Sequence, residues 1–128
     1  MQDKISIIIP CYNEQETIPL FIQAMDQVYH RMQEAYNVRM EYLFVDDGSR
    51  DNTLTVMKEA TAQYPHVSYL SFSRNFGKEA AMFAGLEHAD GDYVVIIDAD
   101  LQDPPELVEE TTDTTNGLRS CFSPHKAV

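Results

Sequence analysis

The chain has 128 residues, 44% of them hydrophobic, and its 21 acidic against 9 basic residues give a formal net charge of −12. That length suits one domain whose core needs no disulfide staples. No run approaches the ~18 apolar residues of a membrane-crossing helix, and the acidity argues against a nucleic-acid backbone as partner. Cys11 and Cys121 have no metal-ligand spacing and are expected as free thiols in a reducing cytoplasm. With a strand begun by Ile5, no signal peptide is expected ahead of it.

In chain order, Lys4–Ile9 reads as a buried first strand, ended by Pro10. After the loop Cys11-Tyr12-Asn13-Glu14, apolar residues from Ile18 through Phe21, Met25, Val28 and Met32 to Tyr36 recur at three- and four-residue steps, one stripe of a long helix. A second strand, Tyr42–Val45, stops on Asp46-Asp47-Gly48-Ser49, and Asp51 or Asn52 caps a helix facing the core with Leu54, Met57, Ala60 and Tyr64. Val67–Phe72 is a third strand, followed by Ser73-Arg74-Asn75-Phe76-Gly77-Lys78 and a small-residue helix from Glu79 to His88. The fourth strand, from Asp92, is an unbroken Val/Ile run that ends on Asp98-Ala99-Asp100-Leu101-Gln102 before Pro104-Pro105. Continuous apolar strands of this kind are covered on both faces. From about Thr111 the chain is polar and without period, so residues 1–110 are expected as the domain and 111–128 as a poorly ordered tail. His30, His66, His88 and His125 show no ligand spacing and are expected at the surface.

Strand and helix alternate with short connections, which predicts an α/β fold on a parallel sheet, with ligands at the carboxyl ends of the strands. The chemically unusual residues collect at those ends. Side-chain alternation puts Asp98 and Asp100 on one side with Ala99 turned away, and Gln102 continues the register. Two carboxylates and an amide oxygen suit a hard cation, Mg²⁺ or Mn²⁺. Tyr12 can stack on a base, Glu14 can accept from a ribose hydroxyl, and Asp46 from a base N–H. Arg74 and Lys78 bring positive charge for phosphates, and Gly77 lets backbone amides approach them. Each residue alone has a plainer reading: Tyr12 as a packed rim residue, Lys78 as a solvated helix-start charge, Arg74 as half of a surface ion pair. Their joint placement favours a site.

The four segments Ile7–Glu16, Phe44–Thr53, Arg74–Glu79 and Asp98–Glu106 together resemble family 2 glycosyltransferases, nearest to the bactoprenol glucosyltransferases and dolichol-phosphate mannosyltransferases. The resemblance covers about residues 4–110. It implies a GT-A fold with sheet order 3-2-1-4, and a nucleoside held by Pro10, Tyr12, Glu14 and Asp46. It also implies Mg²⁺ or Mn²⁺ with a diphosphate at Asp98, Asp100 and Gln102, and inverting transfer. The candidate nucleotide-binding set is thus Pro10, Tyr12, Asn13, Glu14, Asp46, Asp47, Arg74, Gly77, Lys78 and Asp98, with Asp98, Asp100 and Gln102 for metal. The implied donor is a UDP-sugar or GDP-mannose. The implied acceptor is a polyprenyl phosphate at the cytoplasmic face of a membrane. The acceptor side, and with it any catalytic residue, is expected to be missing, leaving a truncated chain of weak or no activity. The alternatives are a nucleotide-binding relic and a receiver-type signalling domain. The latter fits badly, because strand one ends in Tyr-Asn-Glu and strand three in Ser-Arg-Asn. A dinucleotide-binding domain lacks its G-x-G-x-x-G. Whether the chain pairs with a second copy is left open.

Overall fold

The computed structural model describes residues 3–100, so Gln102, Cys121, His125 and the polar stretch from Thr111 lie outside the described residues. Four parallel strands, β1 (Asp3–Cys11), β2 (Val38–Asp46), β3 (Val67–Ser71) and β4 (Tyr93–Ile96), form one sheet in the order β3-β2-β1-β4. The connections are helices α1 (Thr17–Tyr36), α2 (Thr53–Gln63) and α3 (Lys78–His88). The sheet order implied by the resemblance is the one observed.

Alternation along the strands feeds two cores. Ile5, Ile7 and Ile9 of β1 pack with Met40, Tyr42 and Phe44 of β2 beneath Ile18, Phe21, Met25 and Met32 of α1 and Met57 of α2. On the other face Ile8, Val45 and Val94 pack with Ala81 of α3. The result is the helix–sheet–helix sandwich in which continuous apolar strands are at home. α3 lies close to the sheet because Gly85 has no side chain: a Cβ there would stand 2.5 Å from Ile8 Cγ2.

Strand bounds differ from the sequence expectation by two residues or more at three ends, each with a physical reason. β2 starts at Val38, because buried Val38 and Met40 alternate with Arg39 and Glu41 while pairing with the start of β1. β1 runs through Pro10 to Cys11, opposite Val45 and Asp46. Backbone groups alternate sides along a strand, and the Ile8 carbonyl accepts from Ile97 N–H at 3.0 Å, so Pro10 turns its donorless nitrogen toward β4. No β4 carbonyl can be served there, and β4 ends at Ile96 instead of continuing to Asp98. The proline that was expected to end its own strand ends its neighbour's.

Candidate functional site

Strand order reverses at β1, whose successor β2 lies on one side and β4 on the other. Such a switch point leaves a crevice beyond the carboxyl ends of the two diverging strands. A cavity of about 250 Å³ sits there, lined by Pro10 and Cys11 of β1, Tyr12 and Glu14 after it, Asp47 after β2, Lys78 and Ala81 from α3, and Asp98, Ala99 and Asp100 after β4. Asp98 and Asp100 do share a cavity, though not by strand alternation: past Ile96 the chain has left the sheet, and Ala99, expected to point away, is buried and lines the same cavity.

The loops around the cavity are fastened to one another. Asn13 adopts the left-handed conformation (φ 55°) that asparagine tolerates. Its N–H donates to Ser49 Oγ (2.9 Å), and its Oδ1 accepts from Arg50 N–H (2.9 Å). Glu14 N–H donates to Thr53 Oγ1 (2.8 Å), and Asn52 N–H donates to Gln15 Oε1 (2.8 Å). The Thr17 hydroxyl donates to Glu14 Oε2, holding that carboxylate at the start of α1. Asn52 holds the N-cap position of α2 without a side-chain bond, and Asp51 supplies one beside it: its Oδ1 accepts from the amide and hydroxyl of Thr53. Desolvation pushes the Asp51 carboxyl up, but its hydrogen bonds, those from Thr53 foremost, together outweigh it and hold the group below the usual range.

Asp46 and Asp47 are both buried but held differently. Asp46 Oδ1 accepts from Ser49 N–H (2.9 Å), and the residue is not in the cavity lining. Asp47 reaches across to the loop before α3, where Oδ1 accepts from the N–H groups of Phe76 (2.8 Å) and Gly77 (3.2 Å) and Oδ2 from Asn75 Nδ2 (3.2 Å). The two loops touch so closely at Gly48 (φ 67°) that a Cβ would lie 2.2 Å from the Arg74 carbonyl carbon. Gly77 was expected to admit phosphates to its backbone. Its amide is occupied by Asp47, and the glycine is required by its φ of 105°, since a Cβ there meets nothing within 4 Å.

Beyond that cage the polar groups of the cavity face one another. Lys78 Nζ lies 2.7 Å from Asp98 Oδ1, with Asp98 29% exposed. Burial, then the fields of Glu14, Asp46 and Asp98, push the Cys11 thiol well above its ordinary pKa, so it lines the cavity as a neutral and unreactive group. Among the described residues no three His, Cys, Asp or Glu side chains cluster as a metal-ligand set. Asp98 and Asp100 offer hard oxygen donors, and Asp98 already takes an ammonium group. Two carboxylates suit Mg²⁺ or Mn²⁺, which keep waters and take phosphate oxygens as further ligands.

Of the expected site residues, Pro10, Tyr12, Glu14, Asp47, Lys78, Asp98 and Asp100 meet at the cavity. Asn13, Asp46, Arg74 and Gly77 do not line it: Asn13, Asp46 and Gly77 hold loops, and Arg74 lays its guanidinium 4.5 Å over the Phe76 ring. Sequence reasoning did not mark Ala81 as lining, nor Thr17 and Thr53 as fasteners. A hydroxyl at each helix start was the available signal. His66 departs from its expected surface position: it is half-buried against Tyr42, Tyr29 and Tyr64, with Nε2 3.0 Å from Asp26 Oδ1.

Known proteins resemble the chain in sequence and in fold. The bactoprenol glucosyl transferase of Shigella phage SfV is 46% identical over 105 residues, covering 82% of this chain and 33% of the phage protein. The undecaprenyl-phosphate 4-deoxy-4-formamido-L-arabinose transferase of Proteus mirabilis is 37% identical over 113 residues, 88% of this chain and 33% of its own length. The chain thus spans about a third of the length of these curated relatives. Among solved structures, S. aureus TarS 1-349 superposes with a TM-score of 0.68 at 22% identity, over 88% of this chain and 32% of that 1-349 chain. The mannosyltransferase PcManGT from Pyrobaculum calidifontis, in complex with GDP-Man and Mn²⁺, superposes with a TM-score of 0.59 at 28% identity, over 78% of this chain and 28% of that one. The fold is accordingly of the GT-A type. Residues 6–116 match the glycosyl transferase family 2 domain, and the chain belongs to that family of glycosyltransferases.

Proposed function

We propose that the crevice between β1 and β4 binds a nucleoside-diphosphate sugar together with Mg²⁺ or Mn²⁺, for inverting transfer of the glycosyl group to a polyprenyl phosphate. The observation that carries this reading is the convergence of an exposed aromatic, two carboxylates and a lysine in one cavity at the switch point. In it Tyr12, 42% exposed at the rim, stacks on the base, Pro10 walls the nucleoside, and Glu14 accepts from the ribose. Asp46 and Asn13 keep the nucleoside loops in shape. Lys78, at the start of α3, takes the diphosphate, with Arg74 as an outer positive charge. Asp98 and Asp100 are the cation's protein ligands, with Gln102 proposed as a third. When bound, the cation would neutralise charge on the departing diphosphate.

UDP-sugars and GDP-mannose are both proposed donors, supported by relatives named as glucosyl and arabinose-type transferases and by a mannosyltransferase neighbour crystallised with GDP-Man and Mn²⁺. The bactoprenol and undecaprenyl-phosphate names support a lipid-phosphate acceptor, which we propose is met at the cytoplasmic face of a membrane. Among the described residues no helix is long and apolar enough to cross a membrane.

The test is calorimetry with UDP, GDP and their sugars, with and without Mn²⁺. Binding is expected to need the cation, because an acidic crevice repels a diphosphate unless positive charge lies between them. Asp100→Ala is expected to lose most of the Mn²⁺ response while keeping the fold. A variant with unchanged affinity and unchanged Mn²⁺ dependence overturns the metal assignment.

A further inference from the structure

Four acidic side chains line the cavity, Glu14, Asp47, Asp98 and Asp100, and Lys78 is the basic residue among the described lining residues. Asp47 is bonded to backbone amides and Glu14 to the Thr17 hydroxyl. The Lys78 ammonium lies on Asp98, one of the two carboxylates that the proposed cation would share. The position is built: Lys78 is the first residue of α3, and the preceding residue, Gly77, is held by its amide on buried Asp47. The lysine stem therefore rises from a fixed point, and its long arm can reach Asp98 or turn into the cavity without moving the helix.

We propose that Lys78 is the crevice's own counter-ion, pairing with Asp98 until a metal–nucleotide complex arrives and then exchanging that carboxylate for the diphosphate. The inference rests on the metal reading above and adds an order to it. A bare divalent cation must displace an ammonium group and then sit beside it, so it binds poorly. A cation that enters with a diphosphate brings the anion to which the ammonium transfers. Lys78 thereby couples metal and nucleotide, disfavouring the first alone and favouring the two together.

The coupling predicts changes of opposite sign from one substitution. In Lys78→Met, Mn²⁺ titrated into the nucleotide-free protein and followed by electron paramagnetic resonance is expected to bind roughly fivefold tighter, the scale of one exposed ion pair. UDP or GDP titrated at saturating Mn²⁺ is expected to bind weaker by at least a similar factor. Lys78→Arg, which keeps the charge, is expected to behave like the parent in both arms. Lys78 is 60% exposed, so neither change threatens folding, and a purely structural lysine would weaken both arms together. If Lys78→Met binds free Mn²⁺ no tighter while the parent takes Mn²⁺ with nucleotide, the counter-ion role is overturned and the metal site stands. If the parent and both variants bind no Mn²⁺ with or without nucleotide, the metal site and the counter-ion role both fall.

Discussion

Asp46 and Asp47 are chain neighbours with the same side chain, 3% and 4% exposed, yet they hold different partners. Asp46 closes its own turn onto Ser49 N–H, whereas Asp47 gathers Asn75, Phe76 and Gly77 from a loop distant in sequence. A buried carboxylate bonded to several N–H groups leaves all of them unsatisfied when removed, and bonds to charged groups are worth about 1.5–3 kcal/mol. Asp47→Ala is therefore expected to cost about 3 kcal/mol in urea denaturation and to weaken nucleotide binding by loosening the residue that precedes Lys78. A loss below about 1 kcal/mol would mean that the 75–77 loop holds itself. The sequence showed a turn at Asp46-Asp47-Gly48-Ser49 and left undecided which carboxylate turns inward. That choice depends on a loop whose approach leaves no local pattern. Gly48 carries the trace of the contact, but a glycine after two aspartates reads equally well as an ordinary turn.

At the scale of elements, the strands and helices were legible because their apolar period is strong: the α1 stripe from Ile18 to Met32 is buried as its spacing predicts. The end of β4 was not legible, since it is set by a missing donor on Pro10 across the ladder. The opposite, amino-terminal end of the strands is tied by Lys4 of β1, mostly buried, whose ammonium bridges Glu41 of β2 (2.8 Å) and Asp90 before β4. Partial burial lowers the Lys4 pKa, but the hydrogen bonds and charges of Asp90 and Glu41 outweigh it and raise it overall. The bond from Lys4 lowers that of Asp90 against its own desolvation. A depressed carboxyl contributes stability that is present above its unfolded pKa of about 3.9 and is lost as pH falls through the lower folded value. A raised lysine contributes stability that is present below about 10.4 and is lost as pH rises through the higher folded value. Urea midpoints measured across this range are expected to hold level between the two limbs. Lys4→Met is expected to lower the plateau and make both limbs shallower, and limbs left unchanged would locate the titrations elsewhere.

For the whole molecule, the question is what a polypeptide of these 128 residues can do when it spans about a third of its curated relatives. Half of a bimolecular transfer is donor binding, and the crevice at β1 and β4 carries the groups proposed for it. The other half is presenting the acceptor. A polyprenyl phosphate, the acceptor proposed above, is largely ionised at neutral pH, its second pKa lying near ~6, so it would arrive as a competent nucleophile that needs little help from a general base. It does need alignment against the anomeric carbon, and orientation supplies on the order of 7–11 kcal/mol of a barrier. Each charged side chain that lines the cavity among the described residues already has a role, proposed above, toward donor, cation or loop scaffolding, and on that proposal none is left to fix a second, lipid-borne phosphate. The 128-residue polypeptide is therefore expected to bind donor and to transfer sugar very slowly, with slow hydrolysis of the bound donor by water as its main reaction. A radiolabel assay with undecaprenyl phosphate, UDP-glucose or GDP-mannose, and Mn²⁺ measures both products. Glycolipid forming at a rate well above hydrolysis, and abolished by Asp100→Ala, would show that these residues also hold the acceptor.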